Sequence, residues 1–460
     1  MRCNIRLVLA LAAALCSCKA GEDYHPPTAA LPGGWHGMAG APEARAQDVS
    51  EAPDIQGWRT FNDPALEALI AAAQRNNRDV KIAAVRVKEA RAMRVAAAAP
   101  LYPQVNAKID GSRGNEENFF NNKPFSLYEA AFDASWEVDL FGATARRAEA
   151  AEADIAAREA EARNALITLR AEVARDYIDL RKLQMQYAIA GNAAEAEGKT
   201  RGLIRSLAKS GLATGLDAAA AEAQYQAITS RMPALAAALE ADKQQLAVLV
   251  GKEWEALAPE LESPAGIPAA PVSVAVDAPA AVIVRRPDVA QAERQLASAA
   301  ALKAAAIADF YPRISLSAAL GLRYSSLAGG GADKSWSGGG SLLGPIFDAG
   351  RLRALVNAAD ARQEQALLAY EKTVLQAQGE VETNLSAYLN ADVQARALDA
   401  SERANERSVF LATARYAQGL SNYLDVLTAQ QALYSSQTAL AEAQANAAVA
   451  QVRLWKSLGF

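Results

Sequence analysis

Reactive side chains are scarce in this chain: its only cysteines are Cys3, Cys16 and Cys18, and its only histidines are His25 and His36. A body free of both residue types excludes a disulfide framework, a cysteine or histidine metal site, a histidine triad and a histidine proton shuttle. Basic charge is not in excess either, with 47 Lys+Arg against 52 Asp+Glu and a formal net charge of −5. That balance argues against nucleic acid as a partner. No GxxxxGK[ST] or GxGxxG-to-helix pattern occurs, so no phosphate cradle is present. The glycines of "LAGGGADKSWSGGG" lie between strand-like runs and read as turn residues. Neither a catalytic site nor a metal or cofactor site can be placed, and the chain reads as a non-enzyme.

The one marked apolar run, residues 7–15 (LVLALAAAL), is too short to span a bilayer and follows Arg2 and Arg6, as in a secretory signal. Leu15-Cys16-Ser17-Cys18 resembles a bacterial lipobox. That makes residues 1–17 the signal peptide and Cys18 the lipid attachment, carrying diacylglycerol on its thiol and an acyl group on its amine; an ordinary signal peptide cut nearby is the alternative. Processing at Cys18 leaves 45 basic against 52 acidic residues, a formal charge of 45 − 52 = −7. Residues 18–57, rich in Pro, Gly and Ala, read as an extended tether, disordered-looking around "GEDYHPP".

The body repeats itself. "LYPQVNAKIDG" at Leu101 returns as "FYPRISLSAALG" at Phe310, and "SGLATGLDAAAAEAQ" at Ser210 returns as "QGLSNYLDVLTAQQ" at Gln418. The expected division is a first repeat at 58–256, a Pro-containing linker at 257–278 and a second repeat at 279–460. Each repeat holds a helix, a β-hairpin (102–140 or 311–347) and a long helical pair. The hairpins show a period of two: Val105, Ala107 and Ile109 alternate with Asn106, Lys108 and Asp110, and Tyr128, Phe132, Trp136 and Val138 alternate with Glu129, Asp133 and Glu137. In the second copy Leu316, Leu320 and Tyr324 oppose Ser317, Gly321 and Ser325. A soluble sandwich has the same alternation. Only four such strands exist, however, with no helix set to cover their apolar faces, so lipid is the expected cover for Phe132, Trp136, Val138, Leu316 and Leu320. Four strands cannot close a barrel, and several protomers must contribute.

From Ala143 to about Ser206 the chain runs in strong helix formers without proline, enough for one helix of about 95 Å. The return helix carries a seven-residue register, Ala218, Tyr225, Met232, Leu239 and Leu246, matched by Val426, Leu433, Leu440, Ala447 and Leu454. That period implies helices wound on one another. Gln430, Gln437, Gln444 and Gln451 repeat at the same interval and face either a solvated lumen or an outer face. Pro233, where the second copy has Ala441, should kink its helix. Gly211 and Gly419 suit helix ends, and Asp217 and Asp425 suit the first turn of the next helix.

Cys18 with "GEDYHPP", "RRPDVAQAERQLASAAALKAAAIADFYPRISL" from Arg285, "GPIFDAGRLRA" from Gly344 and "RYAQGLSNYLDVLTAQQAL" from Arg415 carry a family likeness over nearly the whole mature chain. The chain resembles the TolC-like outer-membrane factors, more closely their OprM/NodT-type lipoprotein branch. The resemblance implies a mixed α and β membrane protein, a homotrimer whose twelve-stranded β-barrel lies in outer-membrane lipid and continues as a periplasmic α-helical coiled-coil barrel. It implies a passive exit duct for small molecules, working with a periplasmic adaptor and an RND-type inner-membrane pump. The two reversals become the periplasmic tips: Asp217 and Asp425 as acidic rings, Tyr416 and Leu424 as latch and plug, and Gly211, Leu212, Gly419 and Leu420 as adaptor contacts. Where relatives carry a second acid and a gating arginine, Thr428 and Ser421 stand here. A duct for type I protein secretion and a non-conducting coiled-coil scaffold are the other readings.

Overall fold

A computed structural model describes residues 19–27, 32–36, 56–115, 124–269, 278–326 and 331–460. The described helices are α1 (Gln56–Arg59), α2 (Pro64–Asn76), α3 (Arg78–Ala98), α4 (Ala143–Lys209), α5 (Gly215–Thr229), α6 (Met232–Val250), α7 (Ala258–Leu261), α8 (Pro279–Arg285), α9 (Pro287–Ala308), α10 (Arg351–Ala417) and α11 (Tyr423–Leu458). The strands are β1 (Gln104–Asn115), β2 (Pro124–Val138), β3 (Arg313–Ser325) and β4 (Ala332–Leu343). Two compact units result. Residues 1–29, 85–160 and 290–373 include the sheet, and residues 30–84, 161–289 and 374–460 include the helical reversals. Each unit draws on both halves of the sequence.

The sheet is antiparallel in the order β1-β2-β3-β4, leaving β1 and β4 as edges. Its register sets Ala107 beside Phe132, Phe132 beside Leu320 and Leu320 beside Trp336. One face is therefore apolar, while Lys108, Asp133, Ser135, Ser317 and Ser337 share the other. Of the glycines read as turn residues, Gly338, Gly339 and Gly340 require correction, being paired within β4, while Gly331 precedes that strand and Gly329 and Gly330 lie outside the described residues. Of the three in β4 only Gly340 is in a tight place, a Cβ there lying 3.3 Å from Leu316 Cδ2, whereas at Gly338 and Gly339 a Cβ would meet ordinary contact distances.

In the other unit, α2, α4, α6 and α11 enclose the largest core, with Leu66, Leu69, Tyr177, Leu180, Leu246 and Leu261 buried. Trp58 and Phe61 each pack edge-on against Trp455 with ring centroids 5.2 Å apart. Such pairs add about 0.5–1.5 kcal/mol each beyond their burial. Leu257 and Leu261 join this core, and the buried Arg181 side chain donates to the backbone carbonyls of Leu261 and Ser263. The first part of the expected linker is thus packed structure, while residues 270–277 lie outside the described residues.

Both long helices have 67 residues, about 100 Å each at 1.5 Å per residue. The return helices differ as Pro233 requires. Proline cannot donate to the carbonyl four residues earlier and its ring crowds that carbonyl, so the helix stops after Thr229 and restarts at Met232. With Ala441 in the equivalent place, α11 continues unbroken for 36 residues. The glutamine stripe faces neither of the expected solvated surfaces along its whole length. Gln451 is fully buried among Ala447, Ala448 and Val452, and Gln437 donates to Glu402.

Candidate functional site

Three features gather the chemistry: the bare sheet face, the segment after Cys18, and the paired helical reversals. On the sheet, Phe132 and Leu320 are about two-thirds exposed, and Leu316, Ile109, Val105 and Trp336 are also open. Trp136 and Val138 are half-buried. The Trp136 indole N–H donates to the Leu101 carbonyl at 3.0 Å, tying the apolar face to the turn that precedes β1. Contiguous apolar area of this kind on a sheet with two unpaired edges demands a cover.

Cys18 lies outside the described residues, but the residues after it do not form a free tether. The Ala20 N–H donates to the Phe141 carbonyl at 3.0 Å. Arg146, whose side chain is nearly fully buried, reaches Asp23 at 2.7 Å, Glu149 at 2.8 Å and the Gly21 carbonyl at 3.4 Å. Its guanidinium holds the Asp23 carboxyl below the usual carboxylate range. One residue on, the Tyr24 hydroxyl donates to Glu293 at 2.8 Å, and burial together with that carboxylate pushes its pKa up. The segment from Ala20 to Tyr24 is thus docked on Phe141, α4 and α9. Nothing in its local sequence marks this, because the partners lie 121 to 269 residues away.

At the reversals the chain turns twice by the same device. Gly211 (φ +74°) and Gly419 (φ +69°) take the left-handed conformation that ends α4 and α10. The following Leu212 and Leu420 N–H groups then reach back to the Leu207 and Arg415 carbonyls at 2.9 Å, satisfying acceptors that each helix end leaves open. Both leucines are mostly exposed, as is Leu424.

The two aspartates differ in their engagement. Asp217 closes a capping box: its carboxylate accepts from the Thr214 N–H (2.9 Å) and hydroxyl (2.7 Å), and its own N–H donates to Thr214 Oγ1. At Asp425 only the backbone is capped, the N–H donating to Asn422 Oδ1 at 3.1 Å, and its exposed carboxylate has no hydrogen-bond partner among the described residues. Helix capping therefore accounts for the Asp217 carboxylate and not for that of Asp425.

Behind the turns, Ile204, Ala221, Tyr423, Val426 and Leu427 form a small core flanked by Tyr416. The Tyr416 and Tyr423 rings lie 6.0 Å apart. Thr428 caps no charge here, its hydroxyl donating to the Leu424 carbonyl, and the Ser421 hydroxyl is buried without a partner. One further residue escapes a reading of local composition. Glu197 on α4 is only 2 % exposed, in a stretch that looks like solvated surface. Its interval of seven to Ile204 is the signal that could have found it.

The family model for outer membrane efflux proteins matches residues 69–252 and 278–460. The pyoverdine export outer membrane protein OpmQ of Pseudomonas aeruginosa is 32% identical over 421 residues, covering 89% of this chain and 88% of that protein. The toluene efflux pump outer membrane protein TtgI of Pseudomonas putida is 31% identical over 459 residues, covering 96% and 95%. Among solved structures, the outer-membrane channel OprN superposes with a TM-score of 0.88 at 30% identity, covering 96% of this chain and 99% of that one.

Proposed function

Since this chain belongs to the outer membrane efflux protein family and is an outer-membrane channel for efflux, we propose that three copies form a passive exit duct for small organic molecules. A periplasmic adaptor and an RND-type inner-membrane pump would deliver the cargo. The carrying observation is the four-stranded sheet with an apolar face and two open edges. Backbone groups at an open edge cannot be left in lipid, so β4 of one copy must pair with β1 of the next until the sheet closes. Three copies supply twelve strands, wide enough for a wet lumen, with the polar face carrying Lys108, Asp133 and Ser317 turned inward.

Cys18 carries the lipid anchor in this account, and the Arg146 clamp fixes where that anchor meets the protein. Phe132, Trp136, Val138, Leu316 and Leu320 face outer-membrane lipid. The reversals form the periplasmic gate. Threefold copies of Asp425, joined by Asp217, make a ring that favours cations. Tyr416 packs behind the turn, the exposed Leu424 forms the apolar plug, and Gly211, Leu212, Gly419 and Leu420 offer the adaptor its contact. Pyoverdine and toluene in the names of relatives point to small organic cargo.

The test is single-channel recording of the purified protein in a planar bilayer beside Asp425→Asn. The expected result is a cation-selective conductance whose selectivity falls in the variant. Folded protein that never conducts, or selectivity unchanged by the substitution, would refute the duct or its acidic ring respectively.

A further inference from the structure

The α4 helix buries one narrow seam toward its reversal: Ala190, Ala194, Glu197 and Ile204, at 0%, 9%, 2% and 0% exposure. Steps of four, three and seven residues are the spacing of a coiled-coil seam, where side chains are normally apolar. Glu197 breaks that rule. Its Oε2 is buried and finds no hydrogen-bond partner among the described residues. The burial is complete within one copy of the chain, so it does not depend on what the assembly covers.

The surroundings do not compensate a negative charge there. From α11, Tyr423 is 2% exposed with an unpartnered hydroxyl, and burial first of all pushes its pKa up to about 12. Around Tyr423, Tyr416 of α10 flanks the small core and Asp217 of α5 adds to the upward push on the Tyr423 hydroxyl, while Tyr225 of α5 lies beside Gly198, the residue after Glu197. On α4 itself, Arg201 is drawn to Glu222 at 3.5 Å and lies 3.9 Å above the Tyr225 ring. Lys199 is exposed and pairs with Glu195. The buried Ser421 Oγ and Gln430 Oε1, on the same return of chain, are also without partners. The cations nearest along α4, Lys199 and Arg201, are committed to Glu195 and Glu222, and burial is the cause that acts on the Glu197 carboxyl.

Resting on the gating role proposed for the reversals, we propose that Glu197 is a proton-sensitive latch of the helical tip, holding its proton more tightly while the tip is packed than when the tip loosens. The step is one proton passing from the carboxyl to bulk water as α4 parts from α11. Burial alone pushes the Glu197 carboxyl up, which fixes the sign. A carboxyl whose pKa is raised in the packed state stabilises that state fully below its unpacked pKa. The stabilisation is lost as pH rises through the packed-state pKa. Alkaline shift therefore favours opening, by about tenfold in the opening equilibrium per pH unit across that window.

The test compares wild type with Glu197→Gln, which keeps the shape without the titration, and with Glu197→Met, which fills the space without a polar group. Amide hydrogen exchange at Ile204–Gly211 and Tyr423–Leu427 is measured on the assembled protein between about pH 5 and about pH 8, wild type relative to variant at each pH, so that intrinsic exchange cancels. The expected ratio climbs by up to about tenfold per pH unit. A ratio that stays constant against both variants overturns the latch. Bilayer recording of the same samples separates the two claims. A climbing ratio without conductance supports the latch and refutes the duct, and conductance with a flat ratio overturns the latch alone.

Discussion

A lysine in place of Phe132 probes the sheet face where it is least supported by protein. Phe132 sits mid-strand in β2, between Ala107 of β1 and Leu320 of β3, and is 65% exposed in one copy of the chain. Trp136 is a poorer probe, because its indole also holds the Leu101 carbonyl and a substitution there would break that bond. With the face in lipid, a lysine near the bilayer midplane costs about 2–4 kcal/mol per copy. Three copies bring the penalty to about 6–12 kcal/mol, comparable with the whole margin of about 5–15 kcal/mol that keeps a domain folded. Ser135→Lys is the matched control, three residues along the same strand on the opposite face, level with Gln104 and Ser317. The assay is the amount of heat-dissociable oligomer recovered from outer membranes. The expected outcome is near-complete loss for Phe132→Lys with Ser135→Lys close to wild type. Equal recovery of the two variants would refute the assignment of faces.

Other consequences can be checked on purified protein. Gly419→Val forces a branched side chain into positive φ and should cost about 1–2 kcal/mol, read as a lowered thermal midpoint and faster exchange at the second reversal. Thr214→Ala removes one half of the capping box and should cost about 1 kcal/mol in the same assay. Arg286 joins Asp288 through two nitrogens, Glu380 through one and the Ser457 carbonyl through another. Arg286→Ala should therefore destabilise by about 1–3 kcal/mol in denaturant titration, and Lys, lacking the planar fork, should rescue only part. Asp242 has a pKa raised to about 7 by burial first and then by Asp176 and Asp179. Stability should accordingly fall as pH rises from the ordinary carboxylate range through about 7, and Asp242→Asn should flatten that profile in thermal melts.

The alternation was visible over Val105–Asp110 of β1, Tyr128–Val138 of β2 and Ile314–Ser325 of β3, because apolar residues take turns there with polar or small ones. β4 fell within the expected hairpin 311–347, but its alternation was hidden by Gly338, Gly339 and Gly340, which have no side chains to alternate and look like a turn when read locally. The proline break at α5–α6 was predictable since it follows from one missing N–H. The heptads announced helix contact but not which stripe met which. Gln451 therefore passed for a solvated residue although its seam is fully enclosed. The same limit applies to the segment from Lys19 to His25, polar in composition yet held by Arg146 and Glu293 from distant parts of the chain. At the tip, glycine and aspartate spacing located both turns. Which aspartate is consumed by capping required the hydrogen bonds themselves, and Glu197 required the packing.

The account turns on the sheet being one part of a closed, shared barrel. Native mass measurement of the detergent-solubilised complex tests this most directly. The account predicts a stable species of three copies, and a monomer that keeps its β-structure in solution, or any other stoichiometry, would contradict it.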